Sequence, residues 1–158
     1  MEFYSIGIEN KTERKFFKLL KDHHIDACCD IRFKKKALEK KYEYSDDIII
    51  IDKMIKAGIR YGYVSELSNS RRLLPFQMAI EKGSDNEFVR KRMAERYAEE
   101  YRKEVLSKFD FDRMMDSLNM VDATHVVFFC FKEKSEDCQR WIIAEDLKNK
   151  YGIIVTEL

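Results

Sequence analysis

Short apolar runs alternate with amphipathic helical stretches along this chain, and that alternation restricts its fold more than any other feature of the sequence. Residues 3–7 read as a strand, and Asn10-Lys-Thr-Glu13 supplies an N-cap with an acidic residue three positions on, ahead of Phe16, Phe17, Leu19, Leu20 and His23. Residues 25–31 are mostly apolar and bounded by charge, the pattern of a strand covered on both faces and paired in parallel. Ile48, Ile51, Met54 and Ile55 mark a second amphipathic helix ending at Gly58, and residues 59–64 read as a third strand. From 65 to 83 the pattern is irregular, punctuated by Ser68-Asn-Ser-Arg-Arg72, Pro75 and Gly83, and reads as a loop. Ser84-Asp-Asn-Glu87 forms a capping box for a long helix in which Val89, Met93, Tyr97, Tyr101 and Val105 recur every four residues, reaching Lys108. Asp110 caps a shorter helix carrying Phe111, Met114, Met115 and Leu118. Residues 124–130 are then a strand, 136–150 a helix and 153–157 a last strand.

These elements predict an α/β fold, a largely parallel sheet sandwiched by helices in three layers and joined by right-handed crossovers. At 158 residues the chain fits one domain, with 85–120 a helical insertion beside the sheet, since no flexible linker brackets it. A net charge of +1 gives no global attraction for nucleic acid or membrane, so an anionic partner has to be met by a local cluster. The start lacks the features of a signal peptide and no stretch is long enough to span a bilayer, which predicts a cytoplasmic protein with no membrane partner. The four cysteines match neither a secreted disulfide framework nor paired zinc knuckles, so reduced thiols are expected. His23, His24 and His125 have no partner at metal-ligand spacing, and the sequence assigns neither metal nor cofactor.

In a parallel sheet, ligands bind beyond the C-terminal ends of the strands. That rule gathers residues 7–11, 30–32, 65–66 and 130–133 on one rim. Ser135 is a good N-cap residue and would place Cys138 in the first turn of the last helix, where free amides and the helix dipole favour a thiolate. Cys138 is therefore the candidate nucleophile, Arg140 a candidate anion holder, and Cys130 a resolving thiol or a packing residue. Asp30 and Arg32 leave one face of a strand end as a carboxylate–guanidinium pair, either structural or ligand-binding. Glu66 and Glu133 add carboxylates that, if crowded, raise one another's pKa toward the range useful for acid–base work. Cys28 and Cys29 point to opposite faces of a strand and read as core. Arg32, Lys34, Lys35, Lys36, Lys40 and Lys41 form the densest basic stretch, with Phe33, Tyr42 and Tyr44 interleaved and Arg71 and Arg72 on the same rim. It is a candidate contact for nucleic acid, although Glu39, Glu43, Asp46 and Asp47 dilute it toward an ordinary solvated face.

Taken together, Ser5-Ile-Gly7, Asp30-Ile-Arg32, Ser65-Glu-Leu67, Cys130-x-x-Glu133 and Cys138-x-Arg140 resemble the domain-of-unknown-function-488 family. The resemblance carries over Gly7, Asp30, Arg32, Glu66, Cys130, Glu133, Cys138 and Arg140 as a family-like rim. The family's usual histidine after the glycine is Ile8 here, and the one between cysteine and arginine is Gln139. Its paired glycines are Ser68 and Asn69, and its carboxylate falls where this chain has Lys132, one residue before Glu133. Loss of both imidazoles, the usual proton shuttles near neutral pH, implies a divergent or inactive member if the family's chemistry needs them. Three readings follow from the residues. The first is a polar site for an anionic or nucleic-acid-derived ligand, with Arg32, Arg71 and Arg140 holding charge, Asp30, Glu66 and Glu133 orienting it or moving protons, and Cys138 as nucleophile. The second is a non-catalytic nucleic-acid-binding module using the basic loop. The third is a homodimer joined through Tyr97 and Tyr101.

Overall fold

The computed structural model describes residues 1–33, 42–81 and 87–158. The basic run at 34–36 and 40–41, and the capping-box residues Ser84, Asp85 and Asn86, lie outside the described residues.

Five strands form one parallel sheet: β1 (Glu2–Gly7), β2 (Ala27–Asp30), β3 (Arg60–Tyr63), β4 (His125–Cys130) and β5 (Val155–Glu157), in the order β3-β2-β4-β1-β5. Alternation of side chains sorts the strands' residues into two cores. Tyr4, Ile6, Cys28, Val127 and Phe129 pack with Phe16 and Leu20 of α1 (Glu13–Asp22) and with Ile50 and Met54 of α2 (Asp47–Lys56). Phe3, Ala27, Cys29, Val126, Phe128 and Cys130 face the opposite layer. That layer comprises α3 (Leu74–Glu81), α4 (Glu87–Tyr101), α5 (Phe111–Met120) and α6 (Arg140–Tyr151). The result is the three-layer α/β arrangement, and Cys28 and Cys29 do fall on opposite faces.

Several local expectations are corrected. Thr12, not Asn10, caps α1, its hydroxyl accepting the Lys15 N–H at 3.3 Å. Asn10 instead sits in the left-handed region at φ 60°. The segment read as a loop contains α3, where Pro75 is the second helical residue and its missing N–H would have had no partner inside the helix anyway. The last helix begins at Arg140. Ser135 opens a separate 3-10 turn, Ser135–Asp137, and Cys138 follows it in extended backbone. Tyr97 and Tyr101 are fully buried in the chain's own core, with the Tyr101 hydroxyl donating to the Leu67 carbonyl at 2.5 Å, so these two side chains offer no surface for a twofold contact. α4 passes into a wider π-type turn, Arg102–Leu106, closed by the Ser107 N–H on the Arg102 carbonyl at 2.8 Å. No helix among the described residues is long and apolar enough to cross a membrane.

The strand order marks a candidate ligand edge. After β1 the chain crosses to the α1 layer, and after β4 it crosses to the α6 layer, although β1 and β4 are neighbours. Adjacent strands whose connections depart to opposite faces leave a crevice at their C-terminal ends, the usual ligand position in open α/β sheets. Here those ends are Gly7 and Cys130, paired in register.

Candidate thiolate and cation site at the switch point

The loops leaving β1 and β4 stay paired past the strand ends, with the Ile8 N–H on the Cys130 carbonyl at 3.2 Å and the Glu9 N–H on the Phe131 carbonyl at 2.9 Å. The chain after β4 then folds back over β1 so closely that a Cβ on Gly7 would lie 1.6 Å from the Lys132 carbonyl oxygen. Only glycine leaves room for that approach. The same Lys132 oxygen accepts from Arg140 Nη2 at 2.6 Å, and the Glu133 carbonyl accepts from the same nitrogen at 2.9 Å. Gly7 and Arg140 therefore hold one loop from two sides.

Arg140 is almost wholly buried, and its Nε donates to the Cys138 sulfur at 3.2 Å. Gln139, and not Ser135, is the residue at the helix N-cap, and it makes no side-chain cap bond. Burial alone would raise the Cys138 pKa. The neighbouring Cys130 thiol and the Arg140 guanidinium outweigh it and hold the thiol below its ordinary value. Cys130 moves the other way, raised by the neighbouring Cys138 sulfur and by burial. Cys28 and Cys29 have no such donors, and burial pushes both up, Cys29 to about 12.

Gln139, where the family has histidine, is also buried. Its amide nitrogen donates to the Ile31 carbonyl at 2.8 Å, and its oxygen accepts the Cys130 thiol at 3.8 Å. It bridges the ends of β2 and β4, a task needing a donor and an acceptor at fixed places, and it holds no titratable proton near neutral pH.

A lowered thiol pKa stabilises the fold fully above the ordinary thiol range, and that contribution disappears as the pH falls through the lowered value. The opposite shift at Cys130 acts only above the ordinary range. Wild type is therefore expected to lose stability relative to Cys138→Ser as the pH is lowered across the Cys138 window, read from urea midpoints. Parallel profiles for the two proteins would count against a native thiolate.

The other predicted residues divide. Asp30 is fully buried and bound on both oxygens by Arg32, with Nε at 3.0 and 3.1 Å and Nη2 at 2.7 Å, while the Tyr61 hydroxyl donates to it at 2.5 Å. Arg32 also reaches the Ser45 carbonyl at 2.8 Å and lies 4.5 Å from the centre of the Phe129 ring. Burial alone would lower the Arg32 pKa, but the hydrogen bonds and charge of Asp30 raise it. The two groups are committed to each other. Glu66 is exposed in the 3-10 turn Ser65–Leu67 and bonds to Ser65, and Arg71 is exposed at the start of the turn before α3. No contact among the described residues joins Glu66 or Arg71 to Cys138. Arg72 pairs with Glu100 and Glu104 at 3.4 and 3.7 Å. Glu133 accepts from the Asn10 amide at 2.9 Å, which together with nearby lysines holds its pKa down.

One residue escaped individual notice in the sequence. Lys11 lies in the loop after β1 and is only 6% exposed, and no carboxylate among the described residues forms an ion pair with its ammonium. Burial lowers its pKa, the charge of Arg140 lowers it further, and Glu133 and Glu157 partly oppose them. A lysine beside a helix cap ordinarily reads as solvated. The available signal was its place inside the 7–11 rim segment. Arg140 Nη1 is likewise buried with no hydrogen-bond partner among the described residues, while Nη2 lies 3.7 Å from a Glu157 carboxylate oxygen. Among the described residues, no group of three or more His, Cys, Asp or Glu side chains could hold a metal ion.

The chain matches no curated protein and no solved structure. A family model described as domain of unknown function DUF488 matches residues 12–147, a span that includes Asp30, Arg32, Glu66 and the whole Cys130-to-Arg140 segment and begins just beyond Gly7 and Lys11. With most of its 158 residues covered, the chain belongs to the DUF488 family.

Proposed function

We propose that the crevice between the ends of β1 and β4 binds a small anionic ligand of the phosphate type, held by the Lys11 ammonium and Arg140 Nη1. The observation that carries this reading is the burial of Lys11 at the switch point with no ion pair among the described residues. A largely buried lysine without a direct ion pair is costly, and an anion settling beside its ammonium recovers part of that cost. The unpartnered Arg140 nitrogen offers two more donors of the geometry that phosphate accepts. Glu133 and Asn10 line the same mouth and would orient the ligand through its hydroxyl or ester oxygens. Cys138 lies behind Arg140 with no solvent exposure, which favours recognition at the mouth over direct attack on a bulky substrate.

Thermal and urea unfolding with inorganic phosphate provide the test. Wild type is expected to gain about 2.7 kcal/mol when phosphate exceeds its dissociation constant a hundredfold. Lys11→Met is expected to lose that gain. A lysine pKa lowered by folding destabilises the native state at neutral pH, and the penalty fades as the pH rises toward the ordinary lysine value. Without ligand, Lys11→Met should therefore be more stable than wild type near pH 7, with the gap closing at alkaline pH. A wild type that phosphate leaves unchanged, or a Lys11→Met protein that keeps the full response, would sink the reading. A short single-stranded oligonucleotide titrated alongside separates a free phosphate from a nucleic-acid backbone, whose binding weakens steeply with salt.

A further inference from the structure

We propose that Cys138 and Cys130 form a peroxide-oxidisable thiol pair, in which Cys138 is converted to a sulfenic acid and then captured by Cys130 as an intramolecular disulfide. Three observations carry it. The two sulfurs act on each other across the corner between β4 and α6 and are anchored by consecutive residues, Cys130 by Gln139 at 3.8 Å and Cys138 by Arg140 Nε at 3.2 Å, so the attacking and resolving sulfurs are already neighbours. The Cys138 sulfur accepts from the Arg140 Nε at 3.2 Å, and the buried guanidinium favours an anionic sulfur. Both sulfurs are buried, with relative exposures of 0% for Cys138 and 4% for Cys130. That burial restricts the oxidant to a small neutral molecule, and hydrogen peroxide fits the restriction.

In the first step the thiolate sulfur attacks one peroxide oxygen, the S–O bond forms, the O–O bond breaks, and the departing hydroxide takes a proton to become water. Sulfur supplies the two electrons. In the second step the Cys130 sulfur attacks the sulfenyl sulfur, the S–S bond forms and the S–O bond breaks. Hydroxide leaves with the Cys130 thiol proton as a second water. The Arg140 Nε–H, directed at the Cys138 sulfur, is placed to stabilise charge in both steps, and Gln139 orients the Cys130 thiol by accepting its proton at 3.8 Å. Cys28 and Cys29 serve as internal controls, since they are buried, lack these donors and face opposite cores.

The test treats the reduced full-length protein with a small excess of hydrogen peroxide at pH 7, followed by intact mass and peptide mapping. The expected result is the loss of two hydrogens, a linked peptide joining Cys130 to Cys138, and Cys28 and Cys29 still alkylatable after unfolding. Dithiothreitol should reverse the change. Cys130→Ser should stop at a dimedone-trappable sulfenic acid on Cys138. No link between Cys130 and Cys138 in wild type, or a Cys130→Ser protein without a dimedone adduct on Cys138, overturns the proposal. It stands apart from anion binding, because the linked peptide should form in phosphate-free buffer whether or not phosphate shifts the unfolding midpoint.

Discussion

Gly7→Ala is expected to destabilise the protein by about 3 kcal/mol or more, at or beyond the upper end for overpacking, because the added methyl would meet backbone and not a yielding side chain. The nearest atom is the Lys132 carbonyl oxygen at 1.6 Å, followed by its carbonyl carbon at 2.5 Å and the Glu133 Cα at 2.9 Å. The loop after β4 cannot retreat without stretching the bonds from Arg140 to the Lys132 and Glu133 carbonyls, and Arg140 is also the donor that holds the Cys138 sulfur. The damage should therefore appear twice, as a lower urea midpoint and as a Cys138 that titrates closer to an ordinary thiol. An alanine variant with wild-type stability would show that the close approach is not a feature of the folded protein.

Asp30→Ala is expected to cost about 3–5 kcal/mol, the usual result of removing one partner from a buried ion pair. The mutation leaves the Arg32 guanidinium among Phe129, Tyr61 and Ser45 with only the half-exposed Asp47 carboxylate at 3.4 Å as a counter-charge among the described residues, where burial alone already opposes its charge. Removing both charges should be milder. An Asp30→Ala, Arg32→Met double variant is expected to recover a large part of the loss, since burying two ions offsets most of their mutual attraction. Denaturant unfolding of wild type, single and double variants closes the cycle. A single variant losing less than about 1 kcal/mol, the scale of an exposed pair, would place the two groups in solvent.

Much of the architecture was legible because burial leaves a compositional trace. The run Val126-Val-Phe-Phe-Cys130 is apolar on both faces, and the structure places it between β2 and β1 with helices above and below. Asp110 caps its helix as read, accepting the Arg113 N–H at 2.9 Å. The strand order was not legible, since nothing local to β4 says that it inserts between β1 and β2; that follows from how long crossovers pack. The same omission hid the switch point, and with it the importance of Lys11. At the site, sequence spacing identified Cys138 and Arg140 as near neighbours but assigned the cap to Ser135. The side chain of Ser135 instead bonds Glu157 at 2.7 Å, a partner far away in sequence. Asp30 and Arg32 were legible as a pair. That they engage each other fully depended on Tyr61 and Ser45, which lie in other segments.

The wide turn at Arg102–Leu106 corrects a phase error written into the long helix. Apolar residues spaced strictly by four overshoot an α-helical turn by about 40° at each step, so the stripe through Tyr97, Tyr101 and Val105 would wind off the core if the geometry stayed regular. A loop of hydrogen bonding one residue larger absorbs the overshoot, and Val105 and Leu106 remain buried behind Tyr101. The extra residue thus works as a closing adjustment: it keeps the last turn of the rod on its buried side before the chain turns away at Ser107.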